Sequence, residues 1–228
     1  TLIEESQIKE IRSNFDNPLI TSGGSVCNTI HELNFGSHEA SFYGKVNDDE
    51  YGNAFVQDLQ KENISFKGVS NKTDLPTGCC NILVSPDGER TMNTYLGAGE
   101  YLSVKDLNEN SISDAKILYM EGYLWDKTSS KEAFLYAAKL NKESGGLNAI
   151  SLSDVFCVEM HRESFIDFIK SDIDFVFCNE DELNALFEKN TTTESIQHFQ
   201  ESFPEHFFLQ VEVLLCPGPF YSNDLQQG

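Results

Sequence analysis

Short apolar runs alternate with amphipathic segments over the second half of this 228-residue chain. The apolar runs cover residues 117–120, 147–152 and 175–178, and helical spacing marks the segments near 129–143, 160–170 and 180–188. Parallel strands need long crossover connections, which are usually helices, so this alternation is typical of a parallel sheet. The second half therefore predicts an α/β fold built on a doubly wound, mostly parallel sheet.

A different pattern precedes this region, between residues 76 and 96. Partly alternating runs at 79–84 and 90–96 flank Pro86-Asp87-Gly88-Glu89, whose residue types favour a turn. We expect a β-hairpin that lies outside the main sheet as a flap. Further upstream, apolar spacing predicts a helix from Asn28 that ends at Gly36, a strand over 40–46 and a helix from about 51 to 63.

Charge and composition limit the classes of partner. The formal net charge is −21, which would repel the phosphate backbone of a nucleic acid. No apolar run approaches the roughly 20 residues of a membrane span. The six cysteines contain no C-x-x-C pair, which favours reduced thiols. We expect a soluble, cytoplasmic protein with a small-molecule ligand, and the sequence leaves the oligomeric state open.

A glycine pair, Gly23 and Gly24, precedes a polar helix start that contains Ser25 and Asn28. Glycine pairs are ordinary in turns, and as a turn the pair needs no ligand. Backbone without Cβ atoms also lets a ligand approach closely, and a polar residue on the following helix could then contact it. The spacing alone leaves both interpretations open.

Polar residues also follow the predicted parallel strands. Glu121 follows the first strand, Ser153 and Asp154 the second, and Asn179-x-x-Glu182 the third. The carboxyl ends of parallel strands meet at one edge of a sheet, where ligands bind in open α/β folds. Each position has a structural alternative, since Asn179 and Glu182 also fit a capping box and the others fit caps or turns.

These motifs together resemble the PfkB carbohydrate and nucleoside kinases, also called ribokinase-like. The resemblance rests on G-G-S-x-x-N-T at 23–29, the stretch at 43–49, the turn at 86–90 and N-x-x-E at 179–182. It implies a ribokinase-like three-layer α/β/α sandwich, here incomplete, with a lid hairpin over about 76–96. It further implies ATP and Mg2+ as cofactors and a nucleoside or sugar hydroxyl as the phosphate acceptor.

The resemblance also implies roles for individual residues. Those implied to bind substrate are Gly23, Gly24, Ser25, Asn28 and Glu121, while Asn179 and Glu182 would order water around magnesium and the ATP phosphates. Residues 151–156 and 176–180 look more like adenosine kinases than ribokinases, which makes Phe156 the candidate for stacking on a purine. A core phenylalanine is the alternative at this position. Ribose or fructose is the alternative substrate, and a non-catalytic small-molecule binding module is the alternative function.

The resemblance covers residues 1–203, a partial kinase domain, and leaves 204–228 as an unmatched tail. A Gly-Ala-Gly-Asp anion hole, which carries the catalytic aspartate in this family, is absent from the sequence, and so is the family's substrate-binding aspartate on a first strand. We therefore assign no catalytic residue and expect the chain as written not to turn over. A frame error near residue 204 is one hypothesis for the tail. The sequence contains no Walker phosphate loop, dinucleotide fingerprint, H-E-x-x-H or G-x-S-x-G motif.

Overall fold

The computed structural model describes residues 2–15, 18–35, 39–70 and 74–210. Within these ranges the helices are α1 (Glu5–Arg12), α2 (Ser25–Phe35), α3 (Glu50–Lys61), α4 (Glu109–Ser113), α5 (Thr128–Glu143), α6 (Val155–Asp172), α7 (Glu180–Phe187) and α8 (Thr192–Ser202). The strands are β1 (Ser41–Phe42), β2 (Lys45–Val46), β3 (Ser65–Phe66), β4 (Val69–Ser70), β5 (Thr77–Val84), β6 (Arg90–Gly97), β7 (Ile117–Glu121), β8 (Leu147–Ser151), β9 (Phe175–Cys178) and β10 (Phe207–Gln210). Gly36 and most of the predicted tail, residues 211–228, lie outside the described ranges.

Strands β7, β8, β9 and β10 form a parallel sheet in that spatial order. Its register aligns apolar positions, since Met120 pairs with Ile150 and Ile150 with Val176. All three side chains are buried in one cluster with side chains from α5, α6, α7 and α8. The helices that connect these neighbouring strands therefore pack against the sheet in this one cluster. The parallel sheet predicted from the strand-helix alternation is confirmed.

An aromatic group forms the centre of this core. Trp125 is only 1% exposed, and its ring centroid lies 5.1 Å from that of Phe165 and 4.8 Å from that of Phe168. The indole Nε1 donates a hydrogen bond to Ser164 Oγ at 3.1 Å, so its polar atom is satisfied within the core. Full burial of each large apolar side chain contributes about 1.5–3 kcal/mol. This packing fixes the strand ends relative to the helices that follow them.

A second, smaller core lies between α2, α3 and the short strands of the N-terminal part. Cys27, Ile30, Leu59 and Ile64 are buried there, and partly buried phenylalanines from β1, α3 and β3 pack against them. The predicted strand over 40–46 is divided in the structure into β1 and β2, which pair in parallel with β3 and β4. At the break the two backbone segments approach closely: a Cβ on Gly68 would lie 1.9 Å from the Gly44 carbonyl oxygen.

Strands β5 and β6 form an antiparallel hairpin outside the parallel sheet, and an isolated bridge joins Leu2 to Thr94 of β6. The predicted turn closes it, with the Gly88 N–H donating to the Ser85 carbonyl at 2.9 Å. Gly88 has a φ of +87°, a conformation that favours glycine. Helix α1 packs on one face, where Asn81 Nδ2 donates to the Ile8 carbonyl. The separate hairpin predicted from the sequence is confirmed.

Three helices differ most from the sequence prediction, and the first of them, α4, was not predicted. Helix α6 begins at Val155, five residues before the predicted start, because the Asp154 carboxylate accepts a hydrogen bond from the Phe156 N–H and caps it. Its backbone is non-helical at His161, which divides it into two segments. Helix α8 was not predicted at all. Within the described ranges, no helix combines the length and apolar character that crossing a membrane requires.

Candidate active site at the carboxyl edge of the sheet

The carboxyl ends of β7, β8 and β9 lie side by side. Glu121 at the end of β7 pairs with Ser151 at the end of β8, which in turn pairs with Phe177 near the end of β9. The residues that follow these strands therefore begin from neighbouring positions at one edge of the sheet. This is the arrangement that the polar residues after each strand predicted.

The loop with the glycine pair leads into α2 beside this edge. Gly24 has a φ of +99°, which favours glycine, and its carbonyl accepts the first helical hydrogen bond, from the Asn28 N–H, at 2.9 Å. Gly23 has no such φ, and a Cβ built on it would meet no atom within 4 Å. Backbone conformation thus explains the second glycine. The first has neither a positive φ nor a close neighbour to account for it among the described residues.

A hydrogen bond connects the loop to the sheet, since Ser25 Oγ donates to Glu121 Oε1. Burial raises the pKa of the Glu121 carboxyl, and the bond from Ser25 opposes part of that shift. Asn28 lies one turn further along α2 with an exposed side chain. The structure therefore brings Ser25 and Glu121 into contact and leaves Asn28 exposed on the helix that Ser25 starts.

Tyr119 lies beneath this contact, and the sequence analysis did not identify it as a site residue. The Tyr119 hydroxyl contacts the hydroxyls of Ser151 and Thr29, and its ring meets that of Phe177 edge-on at 5.5 Å. Burial is the main cause of its raised pKa. Tyr119 supports the Glu121 end of β7 from below and ties it to α2. Its position two residues before Glu121 could have identified it, because residues two apart in a strand point to the same face of the sheet.

Asn179 and Glu182 form the capping box that was the structural alternative. The Asn179 side chain accepts from the Glu182 N–H at 2.8 Å, and Glu182 accepts from the Asn179 N–H at 3.2 Å and from its Nδ2 at 2.9 Å. Glu182 is 6% exposed, and burial raises its pKa, with Asp154 adding to the shift. The cap is confirmed, while the role toward magnesium and phosphate stays a prediction.

Carboxylates make this edge electronegative. Burial raises the pKa of the Tyr123 phenol to about 12, and the negative charges of Asp154, Glu121 and Glu182 add to the effect, as does Cys157. The pKa of this one phenol is therefore raised by carboxyl groups that follow or end each of the three strands. A phosphate at this edge would need a cation to offset the repulsion.

The side chains available at this edge determine how a metal ion could be bound. Among the described residues, no three His, Cys, Asp or Glu side chains are placed to hold one together. Mg2+ does not need such a cage, because it keeps several waters and is held by one or two carboxylates together with substrate phosphates. Glu182 has further lone pairs beyond its capping bonds and fits that mode. The site accordingly suits a hydrated ion that arrives with a nucleotide.

Phe156 and Ser153 complete the edge beyond β8. Phe156 is 53% exposed on the first turn of α6, so the alternative of a core phenylalanine is wrong. Ser153 has a φ of +73°, a region that is costly for a residue other than glycine. Strain of this kind is concentrated at functional sites, and here it lies in the turn that leads from the end of β8 into α6.

Comparison with known proteins decides the family. The family model described as pfkB family carbohydrate kinase matches residues 4–210. This chain belongs to the PfkB family. Its sequence is 26% identical over 185 residues to a probable fructokinase-5 of Arabidopsis thaliana, an alignment that covers 77% of this chain and 57% of the relative. It is also 25% identical over 170 residues to an adenosine kinase of Schizosaccharomyces pombe, covering 72% of this chain and 49% of the relative.

Solved kinase structures show the same fold. The adenosine kinase of Sinorhizobium meliloti superposes with a TM-score of 0.82 at 33% identity, covering 88% of this chain and 62% of that one. A probable sugar kinase of Rhizobium etli gives a TM-score of 0.81 at 33% identity, covering 88% and 61%. The predicted ribokinase-like fold is confirmed. This PfkB-family chain spans about half to three fifths of the length of these relatives.

The family match extends to residue 210, and β10 pairs with β9 from Phe207 to Gln210. The predicted boundary between a kinase domain at 1–203 and a divergent tail stays a prediction, since most of the tail lies outside the described ranges. The roles assigned to the eight candidate site residues also stay predictions. In this PfkB-family structure those residues belong to the glycine loop, α2, the end of β7 and the starts of α6 and α7.

Proposed function

We propose that this chain carries the acceptor-binding half of an ATP-dependent kinase for a nucleoside or sugar hydroxyl, with adenosine as the preferred acceptor. The observation that supports this most is the contact of Ser25 with Glu121, which sets the glycine loop against the carboxyl edge of the sheet. Polar atoms from two elements thereby converge beside backbone that has no Cβ. A sugar ring offers hydroxyls that suit such a set of donors and acceptors.

Individual side chains have separate tasks in this proposal. Gly23 and Gly24 let the sugar approach the backbone, and Ser25, Asn28 and Glu121 bind its hydroxyls. The Glu121 carboxylate, which already accepts from Ser25, has further lone pairs with which to accept from a substrate hydroxyl. These groups orient the acceptor hydroxyl toward the edge where phosphate would arrive.

Phe156 supplies the argument for a nucleoside. Its exposed ring, on the first turn of the helix after β8, offers a flat surface on which a purine can stack, a contact worth about 1–3 kcal/mol. The similarity to the Sinorhizobium meliloti adenosine kinase supports the same choice. A sugar such as ribose or fructose is the second candidate. The chain is equally identical to a probable sugar kinase, and it is also related to a probable fructokinase.

ATP with Mg2+ would supply the transferable phosphoryl group and the charge that neutralises it. Glu182, fixed by its capping bonds to Asn179, would hold a water of the hydrated ion. The acidic edge makes the ion necessary, because the carboxylates near Tyr123 would repel bare phosphate. We place this activity in the cytoplasm, since the described cysteines are all free thiols, as a reducing compartment favours.

The 228 residues alone should bind without turnover. The sequence lacks the Gly-Ala-Gly-Asp segment that would supply the general base and the anion hole. Loss of a positioned base costs about 10²–10⁴ in rate, and loss of anion-hole donors about 10²–10³ more. A non-catalytic binding module is the competing function.

Two measurements test the proposal. Calorimetry of the 228-residue chain with adenosine, ribose and fructose should show saturable binding, with adenosine bound most tightly. A coupled assay should show phosphorylation only in a completed kinase, made by joining residues 1–203 to the C-terminal part of the Sinorhizobium meliloti adenosine kinase. Binding of ribose without adenosine would overturn the purine assignment. A completed kinase that folds and binds ATP yet phosphorylates none of the three would favour the binding module.

A further inference from the structure

A polar cluster outside the site holds the residue that precedes the glycine pair. Asp58 Oδ2 accepts a hydrogen bond from the Ser22 N–H at 3.0 Å, across 36 positions of sequence. The Ser22 hydroxyl lies 3.3 Å from His31 Nε2 and also contacts the Cys27 thiol. Both the backbone and the side chain of Ser22 are therefore held from α2 and α3.

The anchoring groups stand on rigid supports. Asp58 precedes Leu59 on α3, and His31 follows Ile30 on α2, and both of these neighbours are buried in the second core. Lys61 Nζ donates to the other Asp58 oxygen, Oδ1, at 2.9 Å. This bond is the main reason that the pKa of Asp58 is lowered, which keeps the carboxylate charged and a strong acceptor.

The position of Ser22 decides the position of the glycine loop. Gly23 and Gly24 have more conformational freedom than any other residues, so a loop made of them does not fix itself. On its C-terminal side the loop is held by α2 and by the bond from Ser25 to Glu121. On its N-terminal side the contacts at Ser22 hold it. A ligand site whose backbone is already ordered binds more tightly, because less freedom is lost on binding.

We infer that Asp58, assisted by His31, is a positioning residue that orders the Gly23-Gly24 loop for the acceptor through Ser22. This inference rests on the proposed function. Asp58 touches no ligand in it, and its effect passes through the Ser22 N–H alone. An asparagine at position 58 can accept the same bond through its amide oxygen, whereas an alanine cannot.

The test compares Asp58→Ala, Asp58→Asn and Lys61→Ala in the 228-residue chain. Calorimetry with the acceptor that the wild type binds should give a dissociation constant about tenfold higher for Asp58→Ala, the equivalent of one charged hydrogen bond. Asp58→Asn should stay within about threefold of the wild type, and so should Lys61→Ala, which leaves the bond to Ser22 intact. Hydrogen exchange should accelerate at the Ser22 amide in Asp58→Ala and in neither of the others.

The outcomes separate this inference from the function on which it rests. Unchanged affinity and unchanged Ser22 exchange in Asp58→Ala would overturn the inference while leaving the function in place. Equal losses in the alanine and asparagine variants would also overturn it, because the retained acceptor would then have no effect. A wild type that binds none of the three acceptors would remove the function, while exchange at Ser22 would still decide whether Asp58 holds the loop.

Discussion

Ser25 and Glu121 are 96 positions apart in sequence, and a hydrogen bond from the serine hydroxyl to the glutamate carboxyl joins them. The serine starts α2, which packs in the smaller core, and the glutamate ends β7 in the parallel sheet. The bond therefore connects the two cores at the candidate site. It also places a partly buried, acidic side chain beside the proposed acceptor site.

The first prediction concerns the pH dependence of stability. Burial raises the pKa of Glu121 above its unfolded value, so its contribution to stability is complete at acid pH and is lost as pH rises through the raised value. Glu121→Gln should therefore gain stability relative to the wild type as pH increases from about 4 to 8. Thermal unfolding across that range measures the difference. Glu132→Gln, an exposed position on α5, is the matched control for the lost charge, and a flat difference for Glu121→Gln would contradict the prediction.

The second prediction separates the two glycines. Gly24→Ala places a side chain at a φ of +99° and should lower the free energy of unfolding by about 1–3 kcal/mol. Gly23→Ala meets no atom within 4 Å and should change stability by less than about 0.5 kcal/mol. Its methyl group should still weaken acceptor binding about five- to 150-fold, since an added methyl in a packed contact costs about 1–3 kcal/mol. Chemical denaturation and calorimetry measure the two effects, and undiminished binding by Gly23→Ala would refute the close-approach role.

The third prediction separates the cap from the ion at Glu182. Glu182→Gln can still accept the bond from the Asn179 N–H, but it loses the second acceptor oxygen, which binds Asn179 Nδ2. It should stay close to the wild type in stability at neutral pH, because burial disfavours the charged carboxylate that it replaces. Glu182→Ala should be about 1 kcal/mol less stable than Glu182→Gln. In the completed kinase, Glu182→Gln should raise the Mg2+ concentration for half-maximal rate about 10–100-fold.

Glu194 offers the control for this comparison. It occupies the third helical position of α8, where Thr191 caps its N–H as Asn179 caps that of Glu182. Glu194→Gln should leave the dependence on Mg2+ unchanged. If the two glutamine variants show the same Mg2+ dependence as the parent, Glu182 serves only as a cap.

The fourth prediction addresses the choice between nucleoside and sugar. Phe156→Ala should weaken adenosine binding about five- to 150-fold through loss of stacking and leave ribose binding unchanged. Met160, one turn later on α6 and 51% exposed, is the control, and Met160→Ala should affect neither ligand to that degree. Calorimetry with both ligands decides the matter. An equal loss for ribose would show that Phe156 does not act on a base.

The parallel sheet and the hairpin were predictable because both depend on the order of residue types within short segments of the sequence. Apolar runs of strand length between helical segments specify a buried parallel strand, and Pro86 to Glu89 has the residue types of its turn. Helix α8 was missed because few of its side chains are apolar, although Ser195 and Phe199 are buried at helical spacing. Thr191 with Glu194 was the start signal that could have found it.

The side-chain contacts within the site were harder to predict from the sequence than the strands and helices. Glu121 was selected because it follows a strand, but nothing local indicates that Ser25 is its partner. That pairing depends on how α2 packs against the sheet, which is a tertiary relationship. The same holds for Asp58, a polar residue on an amphipathic helix whose role appears only when Ser22 lies beside it. Local patterns identify elements and candidate residues, and packing decides which of them meet.

Trp125, at the centre of the larger core, is the only tryptophan in the chain. Its indole emission therefore reports unfolding of the parallel-sheet region and is silent about the smaller core around Leu59. Far-ultraviolet circular dichroism reports helices of both regions. Coincidence of the two melting curves would mean that the cores unfold as one cooperative unit, and separated curves would mean that the glycine loop can be released while the sheet stays folded.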